Sequence, residues 1–261
     1  MNTKKPSAIE SILSAARLNN KMIETIPFEL NPKNEDEAYM AQNKLKNILI
    51  SNNYGTISGH KIGCTTRVMQ KYLGIQNPCA GGIFKKNTHL TSASVEFDQY
   101  IRPGVECEIA VRIGKDMNDS YIKYDQNSVS RSIDSVMASI EIVDDRWHNF
   151  NLVETPSLIA DDFFGSGCVL GEPVKWKQQD LRLINGHMSI NGTTVGDGNG
   201  DDIMGNPLKA LAWLANLKSK RDDHLKAGEF VTLGSIVQTN WVSRGDEVNI
   251  NIGTLGSAKV N

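Results

Sequence analysis

From Gly55 onward, the chain consists of short apolar, β-branched runs separated by glycine, proline and asparagine. Such runs are typical of strands, and the residues between them are typical of turns. We predict strands at 94–97, 107–113, 137–143, 168–170, 187–190 and 248–252. This pattern predicts a β-rich core and constrains the fold more than any other feature.

The first part of the chain has a different pattern. Apolar residues recur at helical spacing through 8–20 and again through 38–49, and acidic residues after Asn34 offer a capped start. Pro207 precedes a third apolar stretch of helical spacing. We therefore expect a small, peripheral helical region at 1–58, followed by a β-rich domain at 59–261.

Charge and cysteine content limit the classes of partner. The chain has 28 Lys+Arg and 30 Asp+Glu without any block of like charge, which argues against binding to nucleic acid or to an anionic membrane. No apolar stretch approaches a membrane span, and the N-terminus does not resemble a signal peptide. The four cysteines, Cys64, Cys79, Cys107 and Cys168, form no C-x-x-C pair. We expect a cytoplasmic protein with reduced thiols that binds small molecules or copies of itself.

Two acidic residues share one predicted strand. Glu106 and Glu108 are two residues apart, so in a strand their carboxylates project from the same face. Each would raise the pKa of the other unless a cation lay between them, and a hard divalent ion prefers oxygen ligands. An E-x-E pair on a solvated strand face is the simpler interpretation of this pattern alone.

A third acid favours a metal site over a solvated strand face. Glu141 lies in the middle of the apolar run 136–143, where an unpaired charge would be costly to bury. A metal site closed by Glu141, Glu106 and Glu108 would account for all three residues.

Ordered sequence blocks resemble one known family. They are Gly59-His60-Lys61-Ile62-Gly63-Cys64-Thr65-Thr66, Leu73-Gly74, Glu106-x-Glu108, Ile140-Glu141-Ile142-Val143-Asp144, Ile159-Ala160-Asp161 and Gly228-Glu229-Phe230-Val231-Thr232-Leu233-Gly234-Ser235. Together they resemble the fumarylacetoacetate hydrolase superfamily, in its 2-keto-4-pentenoate hydratase and 4-oxalocrotonate decarboxylase branch. The resemblance implies an α+β fold, a β-rich roll or distorted barrel with a small N-terminal helical region, and a homo-oligomer.

The resemblance also implies a catalytic site in the β-rich domain. Glu106, Glu108 and Glu141 would hold Mg²⁺ or Mn²⁺, which an α-keto acid chelates through its carboxylate and 2-oxygen. Lys61 would steady the charge of the substrate or carry a proton, and the sequence leaves both roles open. Asp161 is a second proton-transfer candidate, with a turn cap as the alternative.

Three further residues, Ser235, Cys79 and Phe164, are assigned to substrate binding. Ser235 offers an amide and a hydroxyl to the substrate carboxylate, with an ordinary Gly-Ser turn as the alternative. Cys79 stands where the family usually has an aspartate. Phe163 and Phe164 replace small polar residues, and their rings would shrink the pocket or make it more apolar.

The implied activity is hydration of a 2-hydroxy-2,4-dienoate to a 4-hydroxy-2-oxo acid. Decarboxylation of a 2-oxo diacid is the alternative, and a non-catalytic ligand-binding relative is a third. Outside the site, we expect the glycine-rich segment 195–207 to be a flexible turn. We expect Asp144, Asp145, Arg146 and His148 to be solvated loop residues, with a role of Asp144 or Arg146 behind the metal ligands as the alternative.

Overall fold

The computed structural model describes residues 8–261. Its helices are α1 (Ile9–Leu18), α2 (Glu35–Leu49), α3 (Arg67–Tyr72), α4 (Gln126–Ser130), α5 (Thr155–Ala160) and α6 (Pro207–Ser219). Its strands are β1 (Ile57–Gly63), β2 (Cys79–Phe84), β3 (Thr88–Leu90), β4 (Ser92–Ala93), β5 (Pro103–Ile113), β6 (Ile133–Asp144), β7 (Gly165–Leu170), β8 (Val174–Lys175), β9 (Asn185–Ile190), β10 (Thr193–Asn199), β11 (Phe230–Ser235), β12 (Asn240–Trp241), β13 (Val248–Ile252) and β14 (Ser257–Val260).

The strands form two sheets. The larger has the order β2-β1-β11-β5-β6-β7-β3, with β12 paired to β5 and β8 to β6. The smaller has the order β10-β9-β13-β14-β4. Strand β2 packs near β7 without pairing with it, so the larger sheet curls into a roll that does not close. The expected α+β roll is confirmed.

Apolar residues fill both sides of the larger sheet. The main core lies between the sheets and the helices, and a smaller cluster lies on the inner face of the roll. That inner cluster consists of Ile83, Ala110, Met137, Cys168, Leu170 and Phe230. Burial of each large apolar side chain in this cluster stabilises the folded state by about 1.5–3 kcal/mol. The cluster therefore helps to hold the strands of the roll together.

Most predicted elements are confirmed, including α1, α2, α6 and the predicted strands from 107–113 onward. Asn34 caps α2 by accepting a hydrogen bond from the Glu37 amide at 3.0 Å. The strand predicted at 94–97 is wrong, because the pairing residues are Ser92–Ala93 and a 3-10 turn begins at Phe97. Apolar character at 94–97 reflects packing of Val95 rather than strand pairing.

The glycine-rich segment is not a simple flexible turn. Most of its first half forms β10, which pairs with β9 as an antiparallel hairpin. A Cβ atom on Gly198 would lie 1.9 Å from the Ile236 carbonyl oxygen, so this strand passes too close to its neighbour for any side chain. Glycine is therefore required here by close backbone approach, a reason that the sequence alone does not display.

The N-terminal helices are part of the core rather than peripheral, so that expectation is wrong. Leu13 and Leu45 are completely buried. The Gln42 amide donates hydrogen bonds to the carbonyls of Ala80 and Ile159, at 2.8 and 2.7 Å, which fixes α2 against β2 and α5. The boundary between 58 and 59 stays a prediction. Among residues 8–261, no helix combines the length and apolar character needed to cross a membrane.

Candidate active site

Strands β5 and β6 place three carboxylates on one face of the roll. Glu106 lies directly opposite Glu141 in the antiparallel register, and Glu108 lies opposite Ser139. Directly opposed residues point to the same face, as do residues two apart on one strand. The register therefore brings together acids that are 33 to 35 residues apart in the chain.

The three acids converge closely. One carboxylate oxygen from each lies within 4.8 Å of the others. Glu108 and Glu141 are 0% and 1% exposed. The Gly234 amide donates a hydrogen bond to Glu108 Oε2 at 2.9 Å, and the Thr239 hydroxyl donates one to Glu106 Oε1. Glu108 Oε1 and Glu141 Oε2 have no hydrogen-bond partner among residues 8–261.

Gly234 is itself required by the local geometry. Its φ of +121° lies in the region that favours glycine, and a Cβ atom there would lie 2.4 Å from the Thr65 hydroxyl oxygen. A side chain at this position would clash with Thr65 and displace the amide that holds Glu108.

Without a cation between them, the three carboxylates repel one another, and burial makes their charged forms less stable. Burial raises the pKa of Glu108 well above its usual range, and repulsion from Glu141 and Glu106 raises it further. Burial also raises the pKa of Glu141, although Lys61 opposes the shift. Two buried carboxylates with unpaired oxygens would be costly unless a cation compensated them.

Lys61 supplies one part of that compensation. Its Nζ lies 3.1 Å from Glu141 Oε1, and its side chain is 3% exposed. Burial by itself would lower the pKa of Lys61, but the charges of Glu141 and Glu106 outweigh it, so the pKa is raised. Lys61 is therefore cationic and held inside the site.

The remaining donor set fits a hard divalent cation. It consists of carboxylate oxygens only, and Lys61 bounds one side of the group of acids. Glu108 Oε1 and Glu141 Oε2 have neither a hydrogen bond nor an ion pair with any residue from 8 to 261. Mg²⁺, Mn²⁺ and Ca²⁺ take oxygen ligands of this kind, whereas Zn²⁺ sites usually include histidine or cysteine. The residues present could thus hold such an ion, and their role as ligands stays a prediction.

The loop after α5 covers Lys61 and has an unusual backbone. Asp162, Phe163 and Phe164 have φ values of 56°, 48° and 64°, three successive left-handed residues without glycine. Each costs roughly 1–2 kcal/mol relative to ordinary backbone. The Phe163 ring centroid lies 5.2 Å from Lys61 Nζ. Phe164 instead packs edge-on against Phe150, with 5.5 Å between ring centroids.

A set of four buried charges, which we call the arginine–aspartate clamp, holds this loop. It consists of Arg17, Arg146, Asp161 and Asp162. Arg17 Nε lies 2.8 Å from Asp161 Oδ1, and Arg146 Nε lies 2.8 Å from Asp161 Oδ2. Arg17 Nη1 lies 3.1 Å from Asp162 Oδ2, and the Gly82 amide donates to Asp162 Oδ1 at 3.1 Å. Every carboxylate oxygen of both aspartates therefore has a donor.

This environment bears on Asp161 as a proton-transfer candidate. Its carboxylate lies between two guanidinium groups, and it is completely buried. Each of its two oxygens accepts a hydrogen bond from a guanidinium, so it has no free oxygen for a substrate proton. The geometry argues for a structural role, and the catalytic assignment stays a prediction.

Three of the four residues expected to be solvated at the end of β6 are buried, so that expectation is wrong for them and holds for the exposed His148. Asp144, Asp145 and Arg146 are 4%, 3% and 4% exposed. Asp144 Oδ1 accepts hydrogen bonds from the backbone amides of Ile101 and Arg102 at 2.9 and 2.8 Å. These charges are buried because partners distant in sequence pair with them.

Ser235 and Cys79 lie near the site with their polar atoms already engaged. Ser235 lies opposite Glu108 in the register, but its hydroxyl lies 2.5 Å from the Val237 carbonyl and 3.2 Å from that of Cys107. Contact with Cys64, together with burial, raises the pKa of the Cys79 thiol well above its usual range. Their assignments to substrate binding, like that of Phe164, stay predictions.

Several residues that contact the acids or Lys61 were not predicted from the sequence. The Gly234 amide and the Thr239 hydroxyl hold two of the acids, and Phe163 rather than Phe164 lies against Lys61. Arg17 was missed because no local pattern links it to Asp161, 144 residues away. A basic residue on the apolar side of an amphipathic helix was the available signal, since burial of such a charge demands an acidic partner.

The chain is similar in sequence to proteins of one known family. The family model described as fumarylacetoacetate (FAA) hydrolase C-terminal matches residues 77–261. The chain is 29% identical to 2-keto-4-pentenoate hydratase 1 of Dechloromonas aromatica (strain RCB), over 96% of this chain and 94% of that protein. It is 29% identical to 4-oxalocrotonate decarboxylase of Pseudomonas putida, over 77% of this chain and 75% of that protein.

A solved structure is similar over nearly the whole chain. It is 4-oxalocrotonate decarboxylase from Pseudomonas putida G7, complexed with magnesium and adipate, with a TM-score of 0.90 and 26% identity. The match covers 97% of this chain and 95% of that one. The chain therefore belongs to the fumarylacetoacetate hydrolase family, in the branch that contains these hydratases and decarboxylases.

Proposed function

We propose that the protein is a metal-dependent hydro-lyase that converts a 2-hydroxy-2,4-dienoate to a 4-hydroxy-2-oxo acid. The observation that carries this proposal is the group of three carboxylates, with unpaired buried oxygens, placed against the ammonium of Lys61. Similarity to 2-keto-4-pentenoate hydratase 1 over 96% of the chain supports the same reaction type.

Glu106, Glu108 and Glu141 would hold Mg²⁺ or Mn²⁺. When bound, the ion supplies Lewis-acid polarisation of the 2-oxygen and carboxylate of an oxo-acid substrate. Gly234 and Thr239 orient two of the carboxylates, which limits how far those ligands can turn.

Lys61 is the proton carrier in this proposal. Its Nζ has three N–H donors, and one interaction is made with Glu141 Oε1 at 3.1 Å. Lys61 donates a proton to C5 of the dienol while the enol O–H proton of the substrate passes to water, which gives the unsaturated 2-oxo acid. A proton returned by that water restores Lys61. A second water molecule then adds its oxygen to C4 and a proton to C3, which gives the 4-hydroxy-2-oxo acid.

Phe163 and the loop that carries it exclude bulk water from one side of Lys61. A less hydrated ammonium interacts more strongly with the carboxylates and with a substrate anion. The strained loop backbone is maintained by the arginine–aspartate clamp, so the N-terminal helix contributes to the site without touching the substrate.

Product analysis tests this proposal. The purified protein is incubated with 2-hydroxypenta-2,4-dienoate and with 2-oxohex-3-enedioate, each with Mg²⁺, Mn²⁺ or a chelator. Hydration adds a hydroxyl at C4, which NMR detects, and we expect it to require the metal. Turnover of neither substrate, with metal affinity intact, would identify a ligand-binding relative instead.

Decarboxylation of a 2-oxo diacid is a second candidate. The specific observation in its favour is the TM-score of 0.90 with 4-oxalocrotonate decarboxylase from Pseudomonas putida G7. Release of CO₂ from 2-oxohex-3-enedioate, without a new hydroxyl in the product, would assign this reaction in place of hydration. Homo-oligomeric assembly and cytoplasmic location stay predictions, and light scattering measures the former.

A further inference from the structure

A cavity of about 380 Å³ lies between helix α1 and the outer face of the roll. Gly82 and Phe84 of β2 line it, whereas Gly81 lies beside Lys61 in the register. Successive residues of a strand point to opposite faces, so the cavity and the carboxylate site lie on opposite sides of the sheet. None of the three glutamates lines it. Its volume falls within the range of small-molecule sites.

Two arginines turn N–H groups without protein acceptors toward the cavity. Arg17 and Arg146 both line it, with side chains 6% and 5% exposed. A guanidinium has five N–H groups, and among residues 8–261 only three of Arg17 and two of Arg146 have hydrogen-bond acceptors. Arg146 Nη1 lies 3.9 Å from Asp144 Oδ2 and has no hydrogen-bond acceptor among the described residues. These N–H groups are therefore open to water or to an anion in the cavity.

The other charges around the cavity leave it cationic. Lys21 and Lys86 add two exposed ammonium groups. Two acids also line it. Asp98 pairs with Arg244, whereas Asp144 accepts two backbone amides through Oδ1 and places Oδ2 3.9 Å from Arg146 Nη1. An anion entering the cavity would therefore meet more cationic than anionic side chains, with Asp144 as its competitor for Arg146.

Part of the remaining wall is apolar and aromatic, and Asn20, Asn87, Gln99 and Ser166 line the rest. Leu18, Tyr54, Phe84 and Tyr100 line the apolar part, and Lys86 Nζ lies 4.8 Å from the Tyr54 ring centroid. An apolar wall facing a guanidinium pair suits a ligand with a carboxylate at one end and a flat apolar body at the other.

We propose that this cavity is a second ligand site, separate from the reaction site, that binds a small organic carboxylate. The carboxylate accepts N–H groups from Arg146 and Arg17, Lys86 adds charge at the rim, and the apolar body rests on Phe84. Since the same arginines hold Asp161 and Asp162, ligand binding here acts on the loop that carries Phe163. The proposal does not depend on which reaction the protein catalyses.

Benzoate is a suitable probe, measured by titration calorimetry on the full chain with Mg²⁺ and excess oxalate present to occupy the carboxylate site. We expect saturable binding below about 10 mM, with Lys86→Met weakening it about fivefold, since one ammonium at a partly exposed site contributes about 1 kcal/mol. Leu18→Glu, which places a negative charge on the exposed wall, should weaken it more.

Lys85→Met is the matched control, because Lys85 is the exposed neighbour of Lys86 and does not line the cavity. It should bind benzoate as the unchanged protein does. Equal weakening by the two lysine variants, or absence of benzoate binding under these conditions, would overturn the proposal. Turnover is not measured, so these outcomes are distinct from any failure of the proposed reaction.

Discussion

The molecule buries two groups of charged residues that differ in how their oxygens are satisfied. In the arginine–aspartate clamp, each carboxylate oxygen of Asp161 and Asp162 has a donor. In the carboxylate site, Glu108 and Glu141 have oxygens without hydrogen-bond partners in the described part of the chain, although they are equally buried. Complete pairing needs nothing further from outside the chain, whereas incomplete pairing demands a cation. Burial alone therefore does not distinguish a structural acid from a candidate metal ligand, but the count of its donors does.

Glu141→Gln is expected to have the largest effect, on activity. It removes one anionic ligand and the partner of Lys61, so we expect turnover to fall about 1,000-fold or more and metal affinity to fall with it. Steady-state kinetics and Mn²⁺ calorimetry measure the two. Asp134→Asn, on the same strand but paired with Lys175 at the surface, is the control and should change neither.

Arg17→Met should act on stability rather than on metal binding. It leaves Asp161 and Asp162 short of donors in a buried site, and breaking such a pair costs about 3–5 kcal/mol of unfolding free energy. Urea denaturation measures this loss, and Mn²⁺ affinity should remain within about twofold. Glu10→Gln, which removes a more exposed contact of α1 with Lys44, should cost less than about 1 kcal/mol. Equal losses for the two variants would contradict a special role for the clamp.

His60 provides a third kind of buried polar contact, on the strand that carries Lys61. Burial, with the charge of Lys218, lowers the pKa of His60 to about 4, and its Nε2 lies 3.2 Å from Glu229 Oε2. The folded state keeps His60 neutral, while the unfolded chain binds a proton below about pH 6.5. Stability should therefore fall by up to about 3 kcal/mol as the pH decreases from 6.5 to 4.

Urea denaturation at several pH values tests this dependence. His60→Gln should flatten the profile between pH 6.5 and 4.5, because the residue that takes up the proton on unfolding is gone. Glu229, whose pKa is lowered by His60 against the effect of burial, adds acid sensitivity only below about pH 4.5. An unchanged slope in the variant would assign the acid sensitivity to other groups.

Thr239→Val should have the smallest effect. The hydroxyl that orients Glu106 is lost, and such outer partners typically change metal affinity by about 10-fold. Thr239→Ser keeps the hydroxyl and should restore most of the affinity in Mn²⁺ calorimetry. Equal affinity for the valine and serine variants would show that Glu106 does not depend on this hydrogen bond.

Local features were largely predictable from the sequence. The period of apolar residues located α1, α2 and α6 and most of the strands, and Asn34 marked a helix start. Pairing of β4 and the strand inside the glycine-rich segment were missed, because both depend on which neighbour is close enough to bond. The period of a sequence carries no information about distant partners.

The candidate site divides in the same way. Because Glu141 lies within an apolar strand, the sequence predicted a buried charge that needs a partner. The E-x-E spacing predicted that Glu106 and Glu108 share one face of their strand. Only the register of β5 with β6 placed Glu141 opposite Glu106. Phe163 over Lys61, and Arg17 beside Asp161, depend on a loop conformation that sequence patterns do not encode.

The sequence by itself determined which segments are strands or helices and which side chains share a face, because those properties depend on residues a few positions apart. The tertiary structure alone decided which buried charges are paired. Hydrogen bonds and ion pairs form over about 3 Å, and residues as distant in the chain as Arg17 and Asp161 reach that range only after the strands and helices have packed. The difference between the clamp and the carboxylate site is therefore a property of the fold.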